Sequence, residues 1–149
     1  MTMGHNPRTI TSANAVLMLR CKGVYDDYVQ IQGFQADNAW EFGEVTLGET
    51  RIGVDGKQSV GYVPHETQLT LYLEANSPST QVLENIRKDF NSKKEARFID
   101  FVVEIPSIGK RYSGTGGLIS MTGGASGKKL LDGTSYKFNM ITNGAEEIA

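Results

Sequence analysis

The sequence has few of the residues from which cross-links, metal sites and catalytic triads are built. Its 149 residues include one cysteine and two histidines. A lone cysteine, Cys21, excludes an internal disulfide, and its place in the apolar run 15–21 predicts a buried thiol. His5 and His65 are distant in the sequence, so their spacing indicates neither a pair of metal ligands nor a catalytic base.

The sequence also lacks an excess of basic charge and any long apolar run. Its formal net charge is −2, whereas domains that hold nucleic acid through its phosphates are usually basic. No apolar run approaches the roughly 20 residues of a membrane-spanning helix, and residues 1–8 lack the apolar core of a signal peptide. We therefore predict a soluble protein that is made without export and is not a dedicated DNA binder.

Catalytic and nucleotide-binding motifs are missing as well. The glycine-rich segment 123–129 fails as a phosphate loop, because Lys129 stands where that motif needs a hydroxyl residue and no helix pattern follows. Adjacent carboxylates, as in Asp26–Asp27 and Glu146–Glu147, point to opposite sides of a strand and are typical of solvated surface. We expect no catalytic residue, no metal site and no cofactor, and an enzyme is the last of our hypotheses.

What the sequence does have is a two-residue alternation of apolar and polar side chains. In 67–74 three leucines share one face of a predicted strand, and in 97–105 four apolar residues do the same while Asp100 and Glu104 point the other way. Shorter predicted strands cover 15–21, 28–34, 118–121 and 136–141. The polar strand faces carry Gln30, Gln32 and Thr70.

One segment, Ser77–Asn91, is predicted to be helical. Ser77 is placed to cap the free amides, and Pro78 suits the first helical position. An apolar stripe of Val82, Leu83, Ile86 and Phe90 recurs at helical spacing, and the predicted outward residues are Glu84, Arg87, Lys88 and Asp89. The chain is therefore predicted to be a single domain, residues 1–149, formed by a β-barrel or sandwich with one helix packed on it.

The region 40–64 is predicted to be a long protruding β-hairpin. Asp55-Gly56 is a strong turn signal, because the favoured two-residue turn needs positive φ at both central positions. The arms are poor in large apolar side chains, so the hairpin would be weak alone and we expect a partner to complete it. An ordinary surface hairpin is the alternative interpretation.

A basic cluster follows the helix stripe. Asp89 and Glu95 interrupt the cluster. Its cations are Arg87, Lys88, Lys93, Lys94 and Arg97. The cluster is either a charged outer helix face or an electrostatic docking site for an acidic partner.

The order of these elements resembles the phage tail-tube family, whose relatives include the Hcp tube of type VI secretion and the tubes of contractile bacteriocins. The features that carry the resemblance are the two early strands, the Gly/Glu/Thr-rich hairpin centred on residues 54–57, the single helix, and the glycine-rich 114–127 with its closing strand at 135–141. They extend over nearly the whole chain.

The resemblance implies a mainly β tail-tube fold whose subunits form rings, expected to be hexameric, that stack into a hollow tube. Residues 1–12 are then an N-terminal arm, and the hairpin contacts the neighbouring ring through Glu49, Arg51, Val54, Asp55, Gly56 and Lys57. Arg87, Lys88, Lys93 and Lys94 become candidates for docking the sheath.

The implied partners are further copies of the chain together with the tail sheath, tape-measure, baseplate and tail-terminator proteins. DNA passes through the lumen only in transit, and the protein is expected in the tail of the virion after assembly in the host cytoplasm. The alternatives left open are an Hcp-like secretion or bacteriocin tube protein and a small β-barrel ligand-binding module.

Overall fold

The computed structural model describes residues 4, 7–9, 13–35, 39–122 and 132–147, and the mainly β fold with one helix is confirmed over that part of the chain. Most of the predicted arm 1–12 and all of the segment 123–129 lie outside the described residues. In chain order the elements are β1 (Val16–Cys21), β2 (Tyr25–Ile31), β3 (Trp40–Phe42), β4 (Gly48–Ile52), β5 (Gln58–Tyr62), β6 (Thr67–Leu73), α1 (Thr80–Lys93), β7 (Ile99–Ile105), β8 (Lys110–Thr122) and β9 (Thr134–Glu147).

Seven strands form one antiparallel sheet in the order β2-β1-β7-β8-β9-β6-β3, and β4 and β5 form a separate two-stranded sheet. The large sheet curls on itself. Phe34, just after edge strand β2, forms a bridge with Leu73 of β6 near the other edge. The Phe42 ring of edge strand β3 lies 5.8 Å from that of Phe101 in β7 and 5.0 Å from that of Tyr112 in β8. This curling brings the two edges together, as in a barrel.

The core lies on the enclosed face of this sheet. The predicted alternation of β6 and β7 is confirmed, because their inward residues are buried, except that Ile105 at the end of β7 is half-buried. Each buried side chain of this size contributes about 1.5–3 kcal/mol through removal of apolar surface from water. The buried apolar residues are Leu17, Leu19, Cys21, Ile31, Leu69, Leu71, Leu73, Leu83, Ile86, Ile99, Phe101, Val103, Tyr136, Phe138 and Met140.

The helix packs its predicted stripe on this core but begins later than predicted, at Thr80 instead of Ser77. Ser77 is engaged elsewhere: its Oγ donates to the Gln32 carbonyl at 2.5 Å. Ser79 holds the N-cap position, and its Oγ accepts the Gln32 N–H at 2.8 Å. The two serines thus attach the start of α1 to the end of β2, and Pro78 lies before the helix.

The predicted boundaries of three strands were wrong. β2 begins at Tyr25 and ends at Ile31, β8 starts at Lys110, and β9 continues to Glu147. Glycines usually interrupt strands, but here Gly114 and Gly116 lie inside β8 because bare backbone is needed. A Cβ on Gly116 would collide with the Asn139 carbonyl of the paired strand, so β8 and β9 pair closely where larger residues would separate them.

Thr70 is also not where the alternation placed it. It belongs to the polar face of β6, yet it is buried. Glu41 lies opposite it on β3 and Lys137 opposite it on β9. A short side chain between longer cross-strand neighbours is covered by them. Thr70 is therefore buried by its position in the sheet, although its side chain is polar.

The paired glycines give a stability prediction with its own control. We expect Gly116→Ala to lower the free energy of unfolding by about 1–3 kcal/mol, because the added methyl meets backbone that cannot rotate away. Gly117→Ala should change it by less than about 0.5 kcal/mol, since a Cβ there has no atom within 4 Å. Urea unfolding of both variants measures the difference, and equal losses would contradict this account.

Candidate assembly surface

The hairpin, defined here as residues 48–62, pairs β4 with β5 from Gly48 opposite Tyr62 to Ile52 opposite Gln58. Paired residues share a face of the ribbon, and so do residues two apart on one strand. One face is therefore apolar at Ile52, Val60 and Tyr62. The opposite face carries Glu49, Arg51, Ser59 and Gly61.

The turn differs from the predicted two-residue type. Gly56 has φ of +82°, but Asp55 is not in the left-handed region. The Gly56 N–H donates to the Gly53 carbonyl at 2.9 Å and the Gly53 N–H donates to the Lys57 carbonyl at 2.9 Å. This is a three-residue loop, 54–56, in which a single glycine takes the left-handed position. Asp55 Oδ1 accepts the Lys57 N–H at 3.1 Å, which holds the turn.

Every residue of the two hairpin strands is exposed. Ile52 is 71% exposed, Val60 and Tyr62 are each 75% exposed, and Val54 projects fully from the tip. A two-stranded hairpin without further packing is marginally stable in water. The hairpin therefore presents an apolar face and two strand edges that the described part of its own subunit does not cover.

All six residues predicted for contacts between subunits lie on this hairpin, and they are Glu49, Arg51, Val54, Asp55, Gly56 and Lys57. Their role in contacts between rings stays a prediction. The boundaries 40–64 were too wide for the hairpin itself, because Trp40–Phe42 joins the large sheet as β3 beside β6. The sequence interpretation missed the apolar face, although the spacing of Val60 and Tyr62 carries that signal.

The basic cluster at α1 is partly neutralised. Arg87 lies 3.8 Å from Glu84 and Lys93 lies 3.5 Å from Asp89. Lys88 and Lys94 are exposed. Exposed ion pairs are weak, so the paired cations stay available to a partner, like the exposed Lys88 and Lys94. The docking of the sheath on this face stays a prediction.

Asp89 was wrongly predicted to face outward. Its side chain is only 14% exposed and its Oδ2 lies 2.5 Å from Arg97 Nε. The hydrogen bond from Arg97 holds the pKa of Asp89 below its ordinary value. The pair links the end of α1 to the chain just before β7, so this carboxylate has a structural role that helical periodicity did not reveal.

The outer face of the large sheet is polar over much of its area. Arg20 of β1 binds Asp100 of β7 at 2.7 Å, and its guanidinium lies 4.6 Å from the centre of the Tyr28 ring. Near the chain end Arg111 pairs with Glu146 at 3.2 Å and Lys110 with Glu147 at 3.4 Å. These carboxylates are exposed, as the sequence predicted for 146–147.

One part of that outer face is apolar, and the sequence interpretation missed it. Phe98, Ile119 and Ile141 are 80%, 60% and 65% exposed and line a common groove. The alternation offered a signal, since Phe98 precedes Asp100 by two residues and so belongs to the outward set. Ile119 lies within the predicted strand 118–121, but at a bulge between Leu118 and Ser120, which interrupts the alternation of faces there.

The remaining candidate residues occupy ordinary structural positions. Cys21 is buried as predicted, and burial raises the pKa of its thiol. His65 Nδ1 lies 3.0 Å from the Val63 carbonyl, and Asp26 accepts the Gly23 N–H in the β1–β2 turn. No three His, Cys, Asp or Glu residues of the described part converge as metal ligands would, and its helix is too short to cross a membrane.

The sequence matches one family model over residues 8–142, and that family is described as tail fiber protein gp32. No curated protein matches the sequence.

Solved structures share the fold. A chain in the cryo-EM structure of the anti-feeding prophage (AFP) baseplate aligns over 100% of this chain and 98% of its own length, with TM-score 0.58 and 9% identity. A chain in the structure of an extracellular contractile injection system, the PVC sheath-tube complex in its extended state, aligns over 89% and 88% with TM-score 0.50 and 10% identity. At these identities the likeness is one of fold.

The Asp89–Arg97 pair predicts a pH dependence. A carboxylate whose folded pKa is lowered stabilises the fold above its unfolded pKa of about 4 and loses that contribution as pH falls through the folded value. Asp89→Asn should therefore flatten the decline in melting temperature between about pH 5 and pH 2. Asp27→Asn, at an exposed carboxylate of β2, is the control and should keep the wild-type profile, whereas an unchanged profile for Asp89→Asn would refute the role assigned to the pair.

Proposed function

The chain belongs to the family described as tail fiber protein gp32, so it is a phage-tail-like protein, and from that premise we propose that it is the tail-tube subunit. Its copies form rings, six to a ring by the resemblance, and the rings stack into a hollow conduit for DNA. The role is structural and non-catalytic. The subunit resides in the virion tail after assembly in the host cytoplasm.

The observation that carries this proposal is the uncovered hairpin. A ribbon with an apolar face and two free edges is unstable alone, and such edges template pairing with another chain. A ring or stack supplies the covering surface in every copy. The full-length likeness of fold to chains from a baseplate and from a sheath-tube complex supports the same assignment.

Two of the proposed partners are suggested by surfaces of the subunit, and the others by the resemblance. The hairpin meets another copy of the chain, and the cations Arg87, Lys88, Lys93 and Lys94 meet an acidic surface of the sheath. Tape-measure, baseplate and tail-terminator proteins then limit the length of the tube and contact its ends. The net charge of −2 suits a conduit, because a strongly basic lumen would retain DNA by its phosphates.

A ring of the baseplate is the second candidate. It is favoured by the higher TM-score of the baseplate chain, 0.58 against 0.50. The two roles differ in stacking, since a tube subunit adds ring upon ring whereas a baseplate ring occupies one level.

Negative-stain electron microscopy of the purified protein over a range of concentrations tests the proposal. We expect rings that stack into tubes of constant diameter, with a sedimentation profile that shifts with concentration. Single rings that never stack would favour the baseplate role. A monomer at every concentration, with no tube in any particle that contains the protein, would refute ring assembly altogether.

The hairpin turn supplies a variant that separates assembly from folding. Asp55→Ala with Gly56→Ala removes the Lys57 contact and the unstrained left-handed residue, but the core does not touch this turn, so the melting temperature should change by no more than about 2 °C. Stacking should be lost. Gly144→Ala is the control, because that glycine also has positive φ, at +92°, and no atom within 4 Å of an added Cβ.

Equal loss of folding and stacking in the Asp55/Gly56 variant would contradict a hairpin devoted to contacts between subunits. So would unchanged stacking.

A further inference from the structure

A groove of about 340 Å³ opens on the outer face of the large sheet, where β8 continues past the first residue of β7. Its apolar walls are Phe98, Ile119 and Ile141. β7 begins at Ile99, opposite Gly116, so the residues of β8 beyond Gly116 have no β7 residue beside them. An exposed apolar recess of this kind on a polar sheet face indicates a binding surface.

Gly117 lies among the groove-lining residues and is an independent indication that something enters it. Its φ is not in the positive range that favours glycine, and a Cβ there would have no atom within 4 Å. The fold of the subunit therefore does not require glycine at this position, unlike at Gly116. Glycine inside a strand, where it weakens the strand, often marks the close approach of another chain.

The groove has a single charge without an ion pair among the described residues. Arg97 lines it, but its guanidinium is bound to Asp89. Glu66 also lines the groove and is exposed. The complementary ligand is thus apolar along one face and carries a nearby cation.

The hairpin of the same chain has this character. Its apolar face of Ile52, Val60 and Tyr62 carries no charge, so burying it removes no charged group from water. Arg51 belongs to the opposite face of the ribbon and Lys57 follows the turn. Neither shows an ion pair in the described part of the chain, and both are long enough to reach past the edge of the ribbon. We propose, on the basis of the ring assembly proposed above, that the groove between Phe98, Ile119 and Ile141 receives the apolar hairpin face of a second copy.

The size and placement of the two surfaces set the mode of association. Interfaces of stable pairs use about 20–30 residues a side, which is more than the hairpin 48–62 offers. One contact is therefore too small for a lasting dimer. Hairpin and groove share no residue, so each copy can give one hairpin and accept another, and such a heterologous contact propagates through many copies.

Engineered cysteines test the contact directly. Val60→Cys and Ile119→Cys are made in separate chains, both at exposed positions, while native Cys21 stays buried. The two variants are mixed, assembled particles are isolated by sedimentation, and mild oxidation follows. We expect a disulfide-linked pair of the two different chains, because a disulfide forms only where Cβ atoms come within about 4.5 Å.

Ser59→Cys, mixed with Ile119→Cys, is the matched control. Ser59 is the neighbour of Val60 on β5 but lies on the opposite face of the ribbon. It should give about tenfold less linked product, since its Cβ points away from the groove. Equal linking by Ser59, or no linking by Val60 within assembled particles, overturns the hairpin-in-groove contact and leaves ring assembly standing. Chains that stay monomeric overturn both proposals.

Filling the groove gives a second measurement. Gly117→Leu places a side chain in the space that the hairpin would occupy, and the surroundings of Gly117 leave room for it in the isolated subunit. We expect an unchanged melting temperature and loss of stacking. A Gly117→Leu variant that stacks like the wild type overturns the contact.

Discussion

The seven-stranded sheet buries one continuous apolar face, and the burial of that face determines where the other parts of the subunit lie. The sheet must curl to enclose Leu69, Phe101 and Phe138, and curling brings Phe34 of one edge to Leu73 of the other. The helix completes the core through Leu83 and Ile86. With these groups removed from water, the opposite face of the sheet and the hairpin are left to the solvent, where they are available for contacts with other chains.

The contrast between the sheet and the hairpin is the main energetic feature of the molecule. The sheet contains strands paired on both sides and a shared core, whereas β4 and β5 have each other and no buried side chain. A ribbon of this kind gains little from folding alone, because two strands cannot repay the entropy of ordering them. Its regular pairing fits a segment that is stabilised by the proposed assembly, and membership in a phage-tail family fits the same proposal.

Charge is used locally in this subunit. Arg97 holds Asp89 and Arg20 holds Asp100 at partly buried positions, so these pairs align α1 and β1 with β7. The cations at the exposed end of α1 and the carboxylates at the end of β9 are solvated and contribute little to stability. They are better suited to selecting partners than to holding the fold together. The charged residues that align the fold are thus a different set from those proposed to contact partners.

Much of the fold was predictable from the sequence, because alternation is a local property. The buried faces of the predicted strands 67–74 and 97–105, the helical stripe and the turn at Asp55-Gly56 all follow from spacing and turn chemistry. Three features do not follow from local sequence: the strand through Gly114–Gly117, the late start of α1 and the burial of Thr70. Each depends on a neighbour distant in sequence: the Asn139 carbonyl for Gly116, the backbone of Gln32 for the serines, and Glu41 with Lys137 for Thr70.

The candidate site divides in the same way. The sequence by itself determined that a hairpin with a glycine turn lies within 40–64, since strand spacing and turn residues act within one segment, whereas the bounds 48–62 came from the structure. The tertiary structure alone decided that Phe98, Ile119 and Ile141 form a groove over Gly117, because they come from three segments that only sheet pairing brings together. Local order can be predicted from local sequence, whereas a recess exists only after distant strands have met.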